Sequence, residues 1–241
     1  MYKIFSISEA ISFSYQSAIK NNYILFFAAI ILYAVLIVME NLFSHYVYPL
    51  IYIELNINGR LFMILFNMIF NWILFMFPSV AITLGLAKVT LRVCDNESTS
   101  AGQLFEYFKE VKLVFKVMAG HILTIIMVII GTCLLIVPGI IVALMFSQFN
   151  FCMIEHRLSV IEGLKMSKNL TSIKGVKPQL FFLYLTFFGI MLISFIPCGL
   201  GFFVSFPMAW MAYAFVYRTL APMRKPEGEY NTNEIVVSPG I

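Results

Sequence analysis

The sequence predicts an all-α membrane protein: six transmembrane helices as three hairpins, each hairpin preceded by an amphipathic interfacial helix. Three observations lead there. The 241 residues are 61% hydrophobic and only 12% charged, about half the charge share of a soluble domain. The apolar runs approach or exceed the ~20 residues that a helix needs to cross a bilayer, and they lack the alternation of a barrel strand. Of the 16 Lys and Arg residues, all but Arg60 fall on one side once those runs are drawn as spans. That asymmetry marks a cytoplasmic face. Backbone groups in lipid must be bonded within the chain, so the runs become helices.

The opening residues are amphipathic, and Ser6, Glu9, Ser12 and Ser14 interrupt any apolar core of a cleavable signal. The first span is therefore expected to insert as an uncleaved signal. It covers 23–39 and carries no charge. Residues 40–60 form the one sizeable outer loop, with Tyr46, Tyr48 and Tyr52 suited to a membrane–water interface. The second span, 61–87, exceeds a ~30 Å hydrocarbon core and is expected to kink at Pro78. Residues 88–116 are a polar connector. The stretch 117–154 has no formal charge and is too long for one span. It is divided at Pro138 and Gly139 into spans 117–137 and 140–154. A second polar connector, 155–178, leads to spans 179–196 and 200–219, turned at Pro197 and Gly199. One transmembrane domain thus covers 1–220, and 221–241, with Pro222, Pro226 and Pro239, is expected to be a disordered cytoplasmic tail. An even number of spans keeps both termini and both connectors on the cytoplasmic side of a bacterial inner membrane.

Each hairpin follows an S-x-x-[EQ] capping pattern: Ser6 with Glu9, Ser100 with Gln103, Ser159 with Glu162. In such a box the Ser hydroxyl accepts from an early helix N–H while the Glu or Gln reaches back to the cap N–H. Apolar residues follow at helical spacing, as in Leu104, Phe108, Val111 and Phe115. These helices are expected to lie in the headgroup region, apolar face down.

From Asp95 onward the chain resembles the multi-pass membrane domain of some bacterial glycerophosphodiester phosphodiesterases and its stand-alone relatives of unknown function. The resemblance rests on Leu135-Ile-Val-Pro-Gly-Ile-Ile141, Glu155, Ile161-Glu-Gly-Leu-Lys-Met-Ser-Lys168, Asp95-Asn-Glu-Ser and Leu104-Phe105. It implies six helices and an envelope-associated role. It implies no chemistry, because the soluble phosphodiesterase domain and its acidic metal ligands are absent from this sequence.

Asn67 and Asn71 lie one turn apart and share a face. With His121, Gln148 and Asn150 they form a candidate intramembrane polar network, read either as interhelical hydrogen bonding or as a solute path. No Asp, Glu, Lys or Arg falls at mid-membrane, which counts against ion-coupled transport. Cys94, Cys133, Cys152 and Cys198 show no metal-ligand spacing and read as separate thiols. The function expected is therefore non-enzymatic: an envelope scaffold, accessory or lipid-interacting protein. It has no cofactor, and membrane lipids are its partners, with a homo-oligomer or an envelope protein partner left open. Nucleic acid is not expected, since the cations flank apolar runs. The rival readings are a transporter or channel subunit for a small solute, and a membrane-embedded lipid enzyme with Glu155 and His156 as its only local acid–base candidates.

Overall fold

The computed structural model describes residues 5–20, 23–43, 45, 60–194, 196 and 201–223, and every regular element among them is helical. In chain order these are α1 (Ile7–Lys20), α2 (Tyr23–Leu42), α3 (Arg60–Cys94) and a 3-10 helix (Ala101–Phe108). There follow α4 (Val111–Leu134), α5 (Ile136–Met145), α6 (Phe149–His156), α7 (Val160–Thr171), α8 (Val176–Ser194), α9 (Phe202–Leu220) and a 3-10 turn (Ala221–Met223). Four helical stretches among the described residues are long and apolar enough to cross a membrane: Leu74–Cys94, Val111–Leu134, Ile136–His156 and Val176–Ser194. This is compatible with a multi-pass membrane protein.

The bundle is built around α9. Ala209, Met211, Ala212, Ala214, Val216 and Tyr217 are buried around its circumference. A helix apolar on all sides belongs in an interior, and α9 packs against α1, α2, α3 and α8. The outward surface is aliphatic. Ile129 and Ile130 of α4, Ile136 and Val137 of α5, and Leu192 and Ile193 of α8 are each more than half exposed. On a protein in water that belt would be a large apolar patch; against lipid tails it is neutral.

The bundle covers part of the apolar face of each amphipathic segment, while Val111, Phe115 and Ile161 stay exposed. Ala10 and Ser14 of α1 are fully buried, and Phe13 packs on Phe215 of α9 with ring centroids 4.9 Å apart. The 3-10 helix crosses α3 at Gly85, where an added Cβ would sit 2.7 Å from the Leu104 Cα. Only glycine allows that approach. α7 runs along α6, with Gly163 held close to Met153 and Phe149. Nor is 103–115 one helix. The 3-10 helix stops at Phe108 and α4 starts at Val111, well before residue 117, so the apolar period read there spans two elements.

The break between the third and fourth apolar segments also differs from expectation. The turn is Leu135, extended at φ −165°, ψ 149°. Pro138 sits in the first turn of α5, where a missing N–H is tolerated. Gly139 lies against Gly131 across the hairpin, at 3.1 Å from the position a Gly131 Cβ would take. A second interruption, at 146–148, was not signalled by any proline or glycine. Pro78 lies inside α3, and Pro207 lies inside α9. Residues 221–223, expected to be disordered, form a 3-10 turn. Pro197 and Gly199 lie outside the described residues, as do 224–241. Cys94, Cys133 and Cys152 form no disulfide among the described residues, and Cys198 lies outside them.

Candidate functional site at the charged end of the bundle

Polar groups gather in two places. The first is the break between α5 and α6. There the Phe149 N–H bonds back to the Phe146 carbonyl at 3.1 Å, a tighter turn than an α-helix makes, and the Met145 carbonyl is released from the ladder. The Ser167 hydroxyl on α7 donates to it at 2.9 Å, and the Thr171 hydroxyl, 3.2 Å away, shares its one proton among this carbonyl and those of Ser167 at 3.0 Å and Lys168 at 3.2 Å. A buried carbonyl without a partner is costly, so this pair of bonds makes the break tolerable.

Beside it, His121 Nε2 meets Asn150 Oδ1 at 2.8 Å, which brings together two members of the expected polar network. Gln148 is fully buried and does not join them. Its Nε2 reaches only the Ser147 hydroxyl at 3.4 Å, and its Oε1 has no hydrogen-bond partner among the described residues. The side chains of Asn67 and Asn71 lie outside the described residues.

The second place is the end where α3, α4, α6 and α9 carry their charges. Arg218, in the last turn of α9, spreads its guanidinium between Asp95, which follows α3, and Glu155 of α6. Glu155 also accepts from the Tyr217 hydroxyl. A cation in the last turn complements the helix dipole, and the planar fork suits two carboxylates at once. Nearby, Lys88 bonds both Glu106 oxygens at 2.6 Å and lies over the Tyr107 ring, 5.8 Å from its centroid. Burial pushes the Tyr107 phenol up, and Glu106 and Glu110 add to that shift.

Arg157 closes this end. It caps α6 in the left-handed region at φ 49°, ψ 36°, an uncommon conformation for a side chain of its size. Its guanidinium grips Glu110 through both nitrogens, Nη2 to Oε1 at 2.7 Å. The hydrogen bond to Glu110 raises the Arg157 pKa further, with burial opposing it. Between the start of α4 and Arg157 lies an open hollow of about 530 Å³, lined by Lys109, Lys112, Lys116 and Arg157, with Glu110 as its one carboxylate.

The capping patterns behave differently from one another. Ser159 and Glu162 form a full box, with Glu162 N–H to Ser159 Oγ at 3.4 Å and Ser159 N–H to Glu162 Oε2 at 3.1 Å. Ser100 makes no side-chain cap, and Gln103 Oε1 is buried without a partner among the described residues. In this tight 3-10 turn only the backbone bond from Gln103 N–H to the Ser100 carbonyl forms. The Ser6 hydroxyl pairs with that of Ser8 at 2.7 Å, and Glu9 lies in the first turn of α1.

Glu155, which the sequence offered as a local acid–base candidate beside His156, is bonded to Arg218 and Tyr217 of α9. The ion pairs Asp95–Arg218 and Glu110–Arg157 were missed; their only sequence signal is a charge at the end of an apolar run. Among the described residues no three His, Cys, Asp or Glu side chains are grouped to hold a metal. Compared with family models, with curated proteins and with solved structures, the chain matches none.

Proposed function

We propose that this chain is a six-span integral protein of a bacterial cytoplasmic membrane, with both termini inside. It acts as a non-enzymatic scaffold or accessory protein of the envelope. The observation that carries the reading is how the interior polar groups are used. His121 is taken by Asn150, the released Met145 carbonyl by Ser167 and Thr171, and Arg218 by Asp95 and Glu155. Groups already bonded to one another hold a bundle together and leave little to offer a moving solute. The resemblance to the phosphodiesterase-linked membrane domain points the same way.

Topology is tested by single cysteines. A Cys placed at Asn56 or Asn58 should react with an impermeant reagent in intact cells, while one at Ser98 or Asn169 should not. Labelling at position 169 from outside overturns the six-span arrangement.

One observation favours the transporter reading instead: the interrupted helix at 146–148 with the unpartnered Gln148 Oε1 beside it, since broken helices mark substrate sites in transporters. Proteoliposomes decide between the two. A specific solute flux that Asn67→Leu/Asn71→Leu or Gln148→Leu abolishes, in protein that stays folded, replaces the scaffold with a transporter.

A further inference from the structure

We infer that the basic hollow at the start of α4 is a binding site for the phosphate-bearing headgroup of an anionic membrane lipid. Three features converge on it. Four cations, Lys109, Lys112, Lys116 and Arg157, line one open depression of about 530 Å³ against a single carboxylate, Glu110. That excess of positive charge within one concavity suits a phosphodiester, and lysines near a membrane surface attract anionic lipid.

The depression is also placed where a lipid could use it. Lys112 and Lys116 are one turn apart on α4, and the same helix continues into the exposed aliphatic stretch of Ile122, Ile125, Ile126 and Ile129. A headgroup seated between the lysines would have its acyl chains directed along that stretch. Val111 and Phe115, beside the two lysines, are 45% and 55% exposed, so apolar surface begins at the rim of the hollow itself. A free phosphate would gain nothing from that surface.

Glu110 sets the strength of the site. It engages Arg157 through both guanidinium nitrogens. It therefore both adds a repulsive charge and withholds a cation from the ligand. The inference rests on the membrane reading above and adds a particular ligand to it.

Native mass spectrometry of the full chain, released from neutral detergent, tests it with phosphatidylglycerol and phosphatidylcholine as probes. Wild type should retain phosphatidylglycerol in preference to phosphatidylcholine. Lys112→Gln/Lys116→Gln should weaken phosphatidylglycerol retention roughly thirty-fold, taking each lysine near an anionic surface at about its usual worth. Lys174→Gln/Lys177→Gln removes the same charge away from the hollow and should leave retention unchanged. Glu110→Gln should tighten it, a gain that misfolding cannot produce. Equal retention of the two lipids, equal loss in both double variants, or no gain in Glu110→Gln overturns the site. Displacement of the lipid by millimolar inorganic phosphate overturns the lipid as its ligand. A chain that stays dispersed without detergent and holds neither lipid fails the membrane reading itself.

Discussion

The Ser167 hydroxyl donates to the Met145 carbonyl at 2.9 Å, and with it α7 closes a gap in a different helix. Thr171 adds a second donor at 3.2 Å. Ser167→Ala alone should cost little, because Thr171 remains. Ser167→Ala with Thr171→Val leaves a half-buried carbonyl unpaired and should cost about 1–3 kcal/mol. Chemical or thermal unfolding in detergent, read for both variants, shows the difference. Equal effects from the single and the double change would mean the carbonyl finds another donor.

Two glycines should respond in opposite ways to alanine. At Gly85 the added methyl meets backbone, the Leu104 Cα at 2.7 Å and its carbonyl carbon at 2.8 Å. Neither can swing aside, so Gly85→Ala should destabilise by about 1–3 kcal/mol as overpacking does. At Gly189 nothing lies within 4 Å. There Gly189→Ala should be neutral or stabilising by up to about 1 kcal/mol through helix propensity. A well-tolerated Gly85→Ala would mean the 3-10 helix is not seated on α3.

Arg218 should resist conservative replacement. Lysine keeps the charge but offers one point where the guanidinium offers a fork shared by Asp95 and Glu155. Arg218→Lys and Arg218→Ala should both lower the melting temperature, the alanine more. Arg218→Lys behaving as wild type would reduce the cluster to simple charge balance.

The cap of α7 should depend on pH. The Ser159 hydroxyl and backbone N–H hold the Glu162 carboxyl below its ordinary 4.5. A carboxylate with a depressed folded pKa contributes while ionised, so its contribution is full above about pH 4.5 and fades as pH falls through the lower folded value. Amide protection over 160–163, taken relative to the intrinsic exchange rate at each pH, should fall in that acid window and be flat between pH 6 and 8. Glu162→Gln should remove the step. A step that persists in Glu162→Gln belongs to another group.

What could be read from the chain was what is local. The Ser159–Glu162 box joins residues three apart at the start of an ordinary α-helix, so the pattern suffices. The same pattern at Ser100 leads into a 3-10 turn pressed onto Gly85, and the tertiary contact overrides it. The belt of exposed aliphatics follows from runs of Ile, Leu and Val. The pairing of Arg218 with Asp95 crosses more than half of the chain, and nothing near either residue announces the other. The interruption at 146–148 has no breaker residue because its cause lies on α7, whose hydroxyls reward the freed carbonyl. Amphipathicity likewise shows that a face will be covered but not by what: Ala10 and Leu104 are covered by protein, while Phe115 and Ile161 stay exposed.

The central place of α9 has a consequence for biogenesis. Among the described residues it follows the α-helices it packs against in chain order, so it leaves the ribosome after them. Until then α1, α2, α3 and α8 lack the surface they pack against, and Asp95 and Glu155 lack their shared cation. The helices made earlier must hold together without that surface until it arrives. The bundle can lock only when translation has delivered its core.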